Sequence, residues 1–157
     1  MNKMILSLWF SCFSLYAAEN LQFTGTLIES SPCIINNDEV IEIDFAKVAI
    51  DKIDGNNFIQ PILCNISCRV GPRDSVPTMK ITMSGAVSDF NPAGIATDVD
   101  GLGIEIRQNG QPLRIGEGLE VSVLALPLLQ AVPVKKSGAA LQEGPFEAWA
   151  TLLMEIQ

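Results

Sequence analysis

The sequence predicts an all-β sandwich of a single domain. Short runs of alternating apolar and polar residues recur along the chain, turn residues separate them, and little of it shows a helical period. With 157 residues the chain is long enough for one domain and too short for two of ordinary size. Apolar residues make up 48% and charged residues 18%, a globular composition rather than a disordered one.

The first 18 residues, MNKMILSLWFSCFSLYAA, carry one lysine near the start, then an apolar run, then small residues. That is the layout of a secretory signal peptide cleaved after Ala17 or Ala18, and the run is too short for a stable membrane span. Lipid attachment at Cys12 is the competing reading, and bulky Trp9 and Phe10 ahead of it fit that processing poorly.

LQFTGTLIESSPC follows. Leu21, Phe23, Gly25 and Leu27 share one face of an extended chain, with Gln22, Thr24 and Thr26 on the other. A strand so close to a mature N-terminus needs something to tie it down. EVIEIDFAKV sets Ile41, Ile43 and Phe45 against Glu42 and Asp44. In FIQPILCNISC, the residues Ile62, Cys64, Ile66 and Cys68 share a face. TMKITMSG sets Met79, Ile81 and Met83 against Lys80, Thr82 and Ser84. GLGIEIRQNGQPL points Leu102, Ile104 and Ile106 inward and turns at Asn109-Gly110, a strong hairpin signal. LEVSVLALPLLQAVPVKK is interrupted by Pro127 and Pro133, so pairing there is edge-like or broken. GPFEAWATLLMEIQ presents Phe146, Ala148, Ala150, Leu152, Met154 and Ile156 as one continuous face.

Export would place the remaining cysteines, Cys33, Cys64 and Cys68, in an oxidising compartment that permits one disulfide. Cys64 reads as a small core-facing hydrophobe. Cys33 precedes the first strand and Cys68 ends the second, so Cys33–Cys68 is the expected bridge and Cys33–Cys64 its competitor. In the chain-entropy model a bridge of that span stabilises by roughly 4 kcal/mol before strain.

The formal charge is −8, and no basic cluster exceeds Lys135-Lys136. A nucleic-acid footprint is therefore missing, and anionic membrane surfaces are disfavoured. The chain contains no histidine, which removes Ser/His and Cys/His catalytic pairs and leaves the C-x3-C spacing a poor zinc site. Asp98 to Gly101, DVDG, resembles the start of a calcium loop, but Asn109 stands where a bidentate glutamate is needed, so it reads as a polar loop. No catalytic residue, metal or cofactor is expected.

A sandwich whose last strand ends at Gln157 has no residues left for a further strand beside it. At the other end lies an apolar-alternating segment without an obvious partner. One arrangement joins the two facts: each subunit lacks a strand, and the N-terminal segment of the next supplies it.

The stretches LQFTGTLIESSPC, VIEIDFAKV, QPILCNISC, MKITMSG, GLGIEIRQNGQPL and GPFEAWATLLMEIQ, in that order, resemble a chaperone–usher pilin, and a P-pilus-type minor or tip subunit more than a rod subunit. The resemblance implies an incomplete immunoglobulin-like β-sandwich lacking its final strand, completed by donor-strand complementation. It divides the chain into a signal peptide (1–18), a donor-strand extension (19–31) and a pilin domain (32–157). It further implies a groove beside the face from Phe146 to Ile156, filled by a periplasmic chaperone until an outer-membrane usher exchanges it for a neighbouring subunit's extension. Leu21, Phe23, Gly25 and Leu27 would form the donor strand, with Gly25 allowing close backbone approach. The expected place is a Gram-negative surface fimbrium, in contact with host receptors only through the fibre. Ile156 stands where such pilins commonly carry an aromatic residue, and Cys64 where a larger strand residue is usual. The rival function is a single-domain adhesin with sugar contacts on the loop 85–101.

Overall fold

The computed structural model describes residues 24–25, 33–68, 78–122 and 124–156. Among these residues ten strands follow one another: β1 (Cys33–Ile35), β2 (Gln60–Pro61), β3 (Ile66–Cys68), β4 (Thr78–Gly85), β5 (Gly94–Ala96), β6 (Leu102–Gln108), β7 (Gln111–Pro112), β8 (Gly118–Ser122), β9 (Leu129–Lys135) and β10 (Ala150–Ile156). The only helical elements described are two single 3-10 turns. Every ladder is antiparallel: a β1–β3 pair, a three-stranded sheet β10–β4–β8, and a larger sheet β2–β9–β6–β5 with β7 turning back onto β6.

The core lies between the two larger sheets. Met83 of β4 meets Ile95, Ile104, Ile106, Leu129 and Ala131 from the facing sheet in one buried cluster, and Met79, Ile81 and Val121 form a second. β4 obeys its sequence pattern: Met79, Ile81 and Met83 are buried while Lys80 and Thr82 are half-exposed. β6 goes further than its pattern. Every residue from Leu102 to Ile106 is buried, because this central strand is covered on both faces. Its turn forms at Asn109-Gly110, where φ is +47° and +79°, as a two-residue hairpin of this hand requires.

Pro133 lies inside β9 and is fully buried, opposite Ile104. The strand tolerates it because the β2 ladder reaches only Gln60↔Ala131 and Pro61↔Gln130. Pairing is therefore continuous on the β6 side and broken on the β2 side, and no ladder bond is lost at the proline. The expected strand through FIQPILCNISC is split into β2 and β3, with residues 62–65 between them.

Residues 39–49 form neither a helix nor a ladder among the described residues. Their alternation survives: Ile41, Ile43 and Phe45 are half-buried, Glu42 and Asp44 exposed. Asn36 and Asn37, both at positive φ (46° and 54°), turn the chain out of β1 into this segment. Asparagine is among the few residues that accept that region at low cost. Asp44 bends it partway along, accepting the Ala46 N–H at 2.7 Å where Ala46 holds φ +53°.

Candidate strand-accepting groove

β10 pairs with β4 along one edge only, in register from Ala150↔Gly85 to Ile156↔Met79. Its other edge carries no ladder partner among the described residues. Ile41, Ile43 and Phe45, with Phe146 and Leu152, pack against the first core cluster, and Leu152 and Met154 against the second. The phenyl rings of Phe45 and Phe146 meet with centroids 6.1 Å apart and planes tilted by 38°. An aromatic contact of this kind adds about 0.5–1.5 kcal/mol to simple burial. The apolar side chains of the 39–49 segment and of the chain around β10 thus lie over one core, and among the described residues neither the segment nor the outer edge of β10 has a ladder partner. Apolar side chains below a sheet edge that has no partner among the described residues are what an added β-strand would need.

Two contacts hold the approach to β10 in place. The Asp98 N–H donates to the Glu147 carbonyl at 3.1 Å, and the Glu147 N–H returns to Asp98 Oδ1 at 2.7 Å. Gly85 is needed opposite: a Cβ there would stand 3.0 Å from both Ile95 Cδ1 and the Trp149 carbonyl. Asp98 is thereby occupied as a structural acceptor, in keeping with a polar loop at DVDG.

Of the six residues expected on the groove face, Phe146, Leu152 and Met154 are half-buried. Ala148 and Ala150 are exposed, since their short side chains do not reach the core clusters. Ile156 is described in backbone only, paired with Met79. Leu21, Phe23 and Leu27 lie outside the described residues, as do the proposed signal peptide and Cys12. Gly25 is exposed, with nothing within 4 Å of where a Cβ would be. Cys33 and Cys68 are direct backbone partners in the β1–β3 ladder, and Cys64 is a half-buried free thiol.

A buried polar cluster escaped the sequence reading. Glu105, in the middle of β6, is only 9% exposed. Arg107 Nε donates to its Oε1 at 2.7 Å, and Asn91 Nδ2 donates to its Oε2 at 2.7 Å. Asn91 also accepts the Ala93 N–H at 2.9 Å, so the cluster ties the 88–93 loop to the central strand. A charge at an apparently outward position, two residues from an arginine on the same face, was the only available signal. The stretch 85–101 is correspondingly not an open loop. Ser88, Ala93 and Ile95 are buried, and β5 pairs with β6.

Two antiparallel sheets around one core, with β10 at a sheet edge among the described residues, fit an incomplete immunoglobulin-like sandwich. Comparison with known proteins agrees. The family model described as fimbrial protein matches residues 21–157, and the chain belongs to that family. It is 35% identical over 144 residues to the fimbrial-like protein YfcQ of Escherichia coli K12, covering 90% of this chain and 89% of that one. The fimbrial-like protein YfcR of the same strain is 29% identical over 131 residues, covering 80% and 74%. Among solved structures, the P pilus adaptor subunit PapF superposes with a TM-score of 0.60 at 21% identity, over 82% of this chain and 98% of that one. The P pilus rod subunit PapA gives 0.60 at 22%, over 88% and 100%. The fold is thus that of chaperone–usher pilus subunits, which lack a final strand, and the chain is a fimbrial structural protein rather than an enzyme.

Proposed function

We propose that this chain is a minor or tip subunit of a chaperone–usher fimbria that polymerises by donor-strand exchange. The observation that carries the reading is the edge of β10 that has no ladder partner among the described residues, with segment 39–49, which also joins no described ladder, packed on the same apolar core. A strand entering there would extend the β10–β4–β8 sheet and cover Phe146, Leu152 and Met154. Burying a side chain of that size is worth about 1.5–3 kcal/mol, so covering several is comparable with the stability of a whole domain.

In this reading residues 19–31 are the strand given to a neighbouring subunit, with Leu21, Phe23 and Leu27 as its apolar side chains and Gly25 at the closest backbone approach. A periplasmic chaperone holds the groove first, and an outer-membrane usher directs the exchange onto the surface fibre. Residues 1–18 serve as the export signal, and Cys33–Cys68 is the disulfide of the pilin domain 32–157. The minor or tip position is taken from the sequence resemblance, since an adaptor and a rod subunit match the fold equally well.

The test is co-purification from periplasm. A chaperone-sized partner that leaves when the subunit enters fibres is the expected result. Secretion of a stable lone monomer with no such partner would contradict the reading.

A further inference from the structure

The last bond of the β2–β9 ladder is the Ile62 N–H donating to the Leu129 carbonyl at 2.8 Å. Beyond it, Leu63 to Asn65 and Leu126 to Leu128 splay apart around an open crevice of about 380 Å³, with Asn36 on its rim. Pro127 has no N–H and cannot continue the ladder. The walls are conspicuously apolar for an exposed surface: Leu63 is 74% exposed, Leu128 51% and Leu126 38%, and none of the nine lining residues carries a charge. Leu124, 79% exposed, stands on the same loop. A contiguous patch of this kind marks a protein contact, and interface centres are depleted in charge.

We propose that this crevice docks the body of the fimbrial subunit that receives this chain's N-terminal extension. The inference rests on the donor-strand reading above, and chain length supplies the occupant. If residues 21–27 are seated in a neighbour's groove, only residues 28–32 remain before Cys33, and the six steps from residue 27 to Cys33 span at most about 21 Å. The receiving subunit is therefore tethered close to Cys33. Asn36 of the crevice follows three residues later, about 10 Å along the extended chain. An uncharged leucine-lined surface beside that tether suits the apolar surface of a second sandwich better than a glycan or a lipid headgroup. Docking there would set the angle between successive subunits, which a bare linker leaves free.

Cys64 is a built-in reporter, a free thiol lining the crevice. The probe is a second copy of this chain. Mature protein is concentrated until pairs form, and pairing is read by native mass spectrometry and by amide-exchange protection of residues 20–29. In the pairs, alkylation of Cys64 and amide exchange at residues 63–65 and 126–128 should each slow tenfold or more relative to the dilute chain. Leu63→Ser with Leu128→Ser, both at exposed positions, should still pair through the extension but lose that protection and show a broader range of maximum dimensions in X-ray scattering. Pairs with a seated extension but an unprotected crevice would overturn the docking inference alone. Failure of any pair to form, with residues 20–29 still exchanging freely, would overturn the strand-exchange reading and this inference with it. Protection already present in the dilute chain, and abolished by deleting residues 19–31, would assign the crevice to the chain's own extension and overturn the proposal.

Discussion

Cys33 stands directly opposite Cys68 across the β1–β3 ladder, with Ile34 opposite Ser67 and Ile35 opposite Ile66. Directly opposed residues of an antiparallel pair have Cα atoms about 4.5–5.5 Å apart, inside the range a disulfide can span. Cys64 lies two residues before β3, in the diverging segment that lines the crevice.

The first prediction follows from that register. Peptide mapping without reduction should recover a Cys33–Cys68 peptide and alkylated Cys64. Cys33→Ser with Cys68→Ser should lower stability by up to about 4 kcal/mol. A Cys33–Cys64 linkage, or alkylation of all three thiols in oxidised protein, would refute the assignment.

Glu105→Ala should be among the more damaging single changes outside the apolar core. It strands Arg107, whose side chain is 17% exposed, and frees Asn91. Removing one partner of a buried pair costs about 3–5 kcal/mol, and residual solvent contact lowers the expectation to about 2–4 kcal/mol. The Lys136–Asp89 pair provides the contrast. Its side chains are 45% and 65% exposed, so Asp89→Ala should have a much smaller effect. Equal losses in urea unfolding of the two variants would contradict the buried role of Glu105.

Much of this architecture is legible in the residues themselves. β4, the β6–β7 hairpin and β10 fall where alternation and the Asn109-Gly110 turn place them. The failures share a cause. Alternation reports which side chains face a core, and it does not report which backbone pairs with which. Ile41, Ile43 and Phe45 therefore look like an ordinary strand although residues 39–49 join no described ladder. β5 was missed because Gly94 and Pro92 read as loop, whereas Gly94 fills a tight site where a Cβ would stand 3.1 Å from Ser88 Oγ. Glu105 was missed because its burial comes from the other face of a central strand, which periodicity along one strand does not register.

The exposed loop at Asp54 carries a pH signature. Its carboxylate accepts the backbone N–H of Asn57 at 2.9 Å and of Asn56 at 2.8 Å, which hold its pKa below the ordinary aspartate value. A depressed carboxylate pKa contributes stability in full above the unfolded value of about 3.9, and loses it as pH falls through the folded one. Lys136 has the opposite sign. Its hydrogen bond to Asp89, then the charges of Asp89 and Asp100, raise its pKa, so its contribution is complete below about 10.4 and vanishes as pH climbs through the raised value. Asp54→Ala should thus differ from wild type at pH 7 and converge on it only once pH falls through the lowered carboxylate pKa, beneath the ordinary aspartate value, while Lys136→Met should converge only in strong alkali. Differences that stay constant across both ranges would remove the electrostatic explanation.

Gly25→Leu should leave the subunit's own fold and chaperone binding intact while preventing its addition to a neighbour. Gly25 is exposed, and a Cβ built on it would have nothing within 4 Å. Seated in a filled groove, the added side chain would overpack the interior, at about 1–3 kcal/mol or more where the backbone cannot shift. Periplasmic pull-down paired with fibre isolation from the same cells is the measurement. Loss of chaperone binding would place residue 25 in the subunit's own sandwich, and normal entry into fibres would end its donor-strand role.

The central claim, that the sandwich lacks a strand beside β10, is tested most directly by melting the purified mature chain with and without a donor-strand peptide copied from a neighbouring fimbrial subunit. A peptide at a hundred times its Kd stabilises the folded state by about 2.7 kcal/mol. At about 3 °C per kcal/mol for a domain of this size, the Tm should rise by roughly 8 °C. The amides of β10 and of residues 39–49 should become protected together. A lone monomer that already melts high, and whose Tm no donor strand moves, would contradict the account.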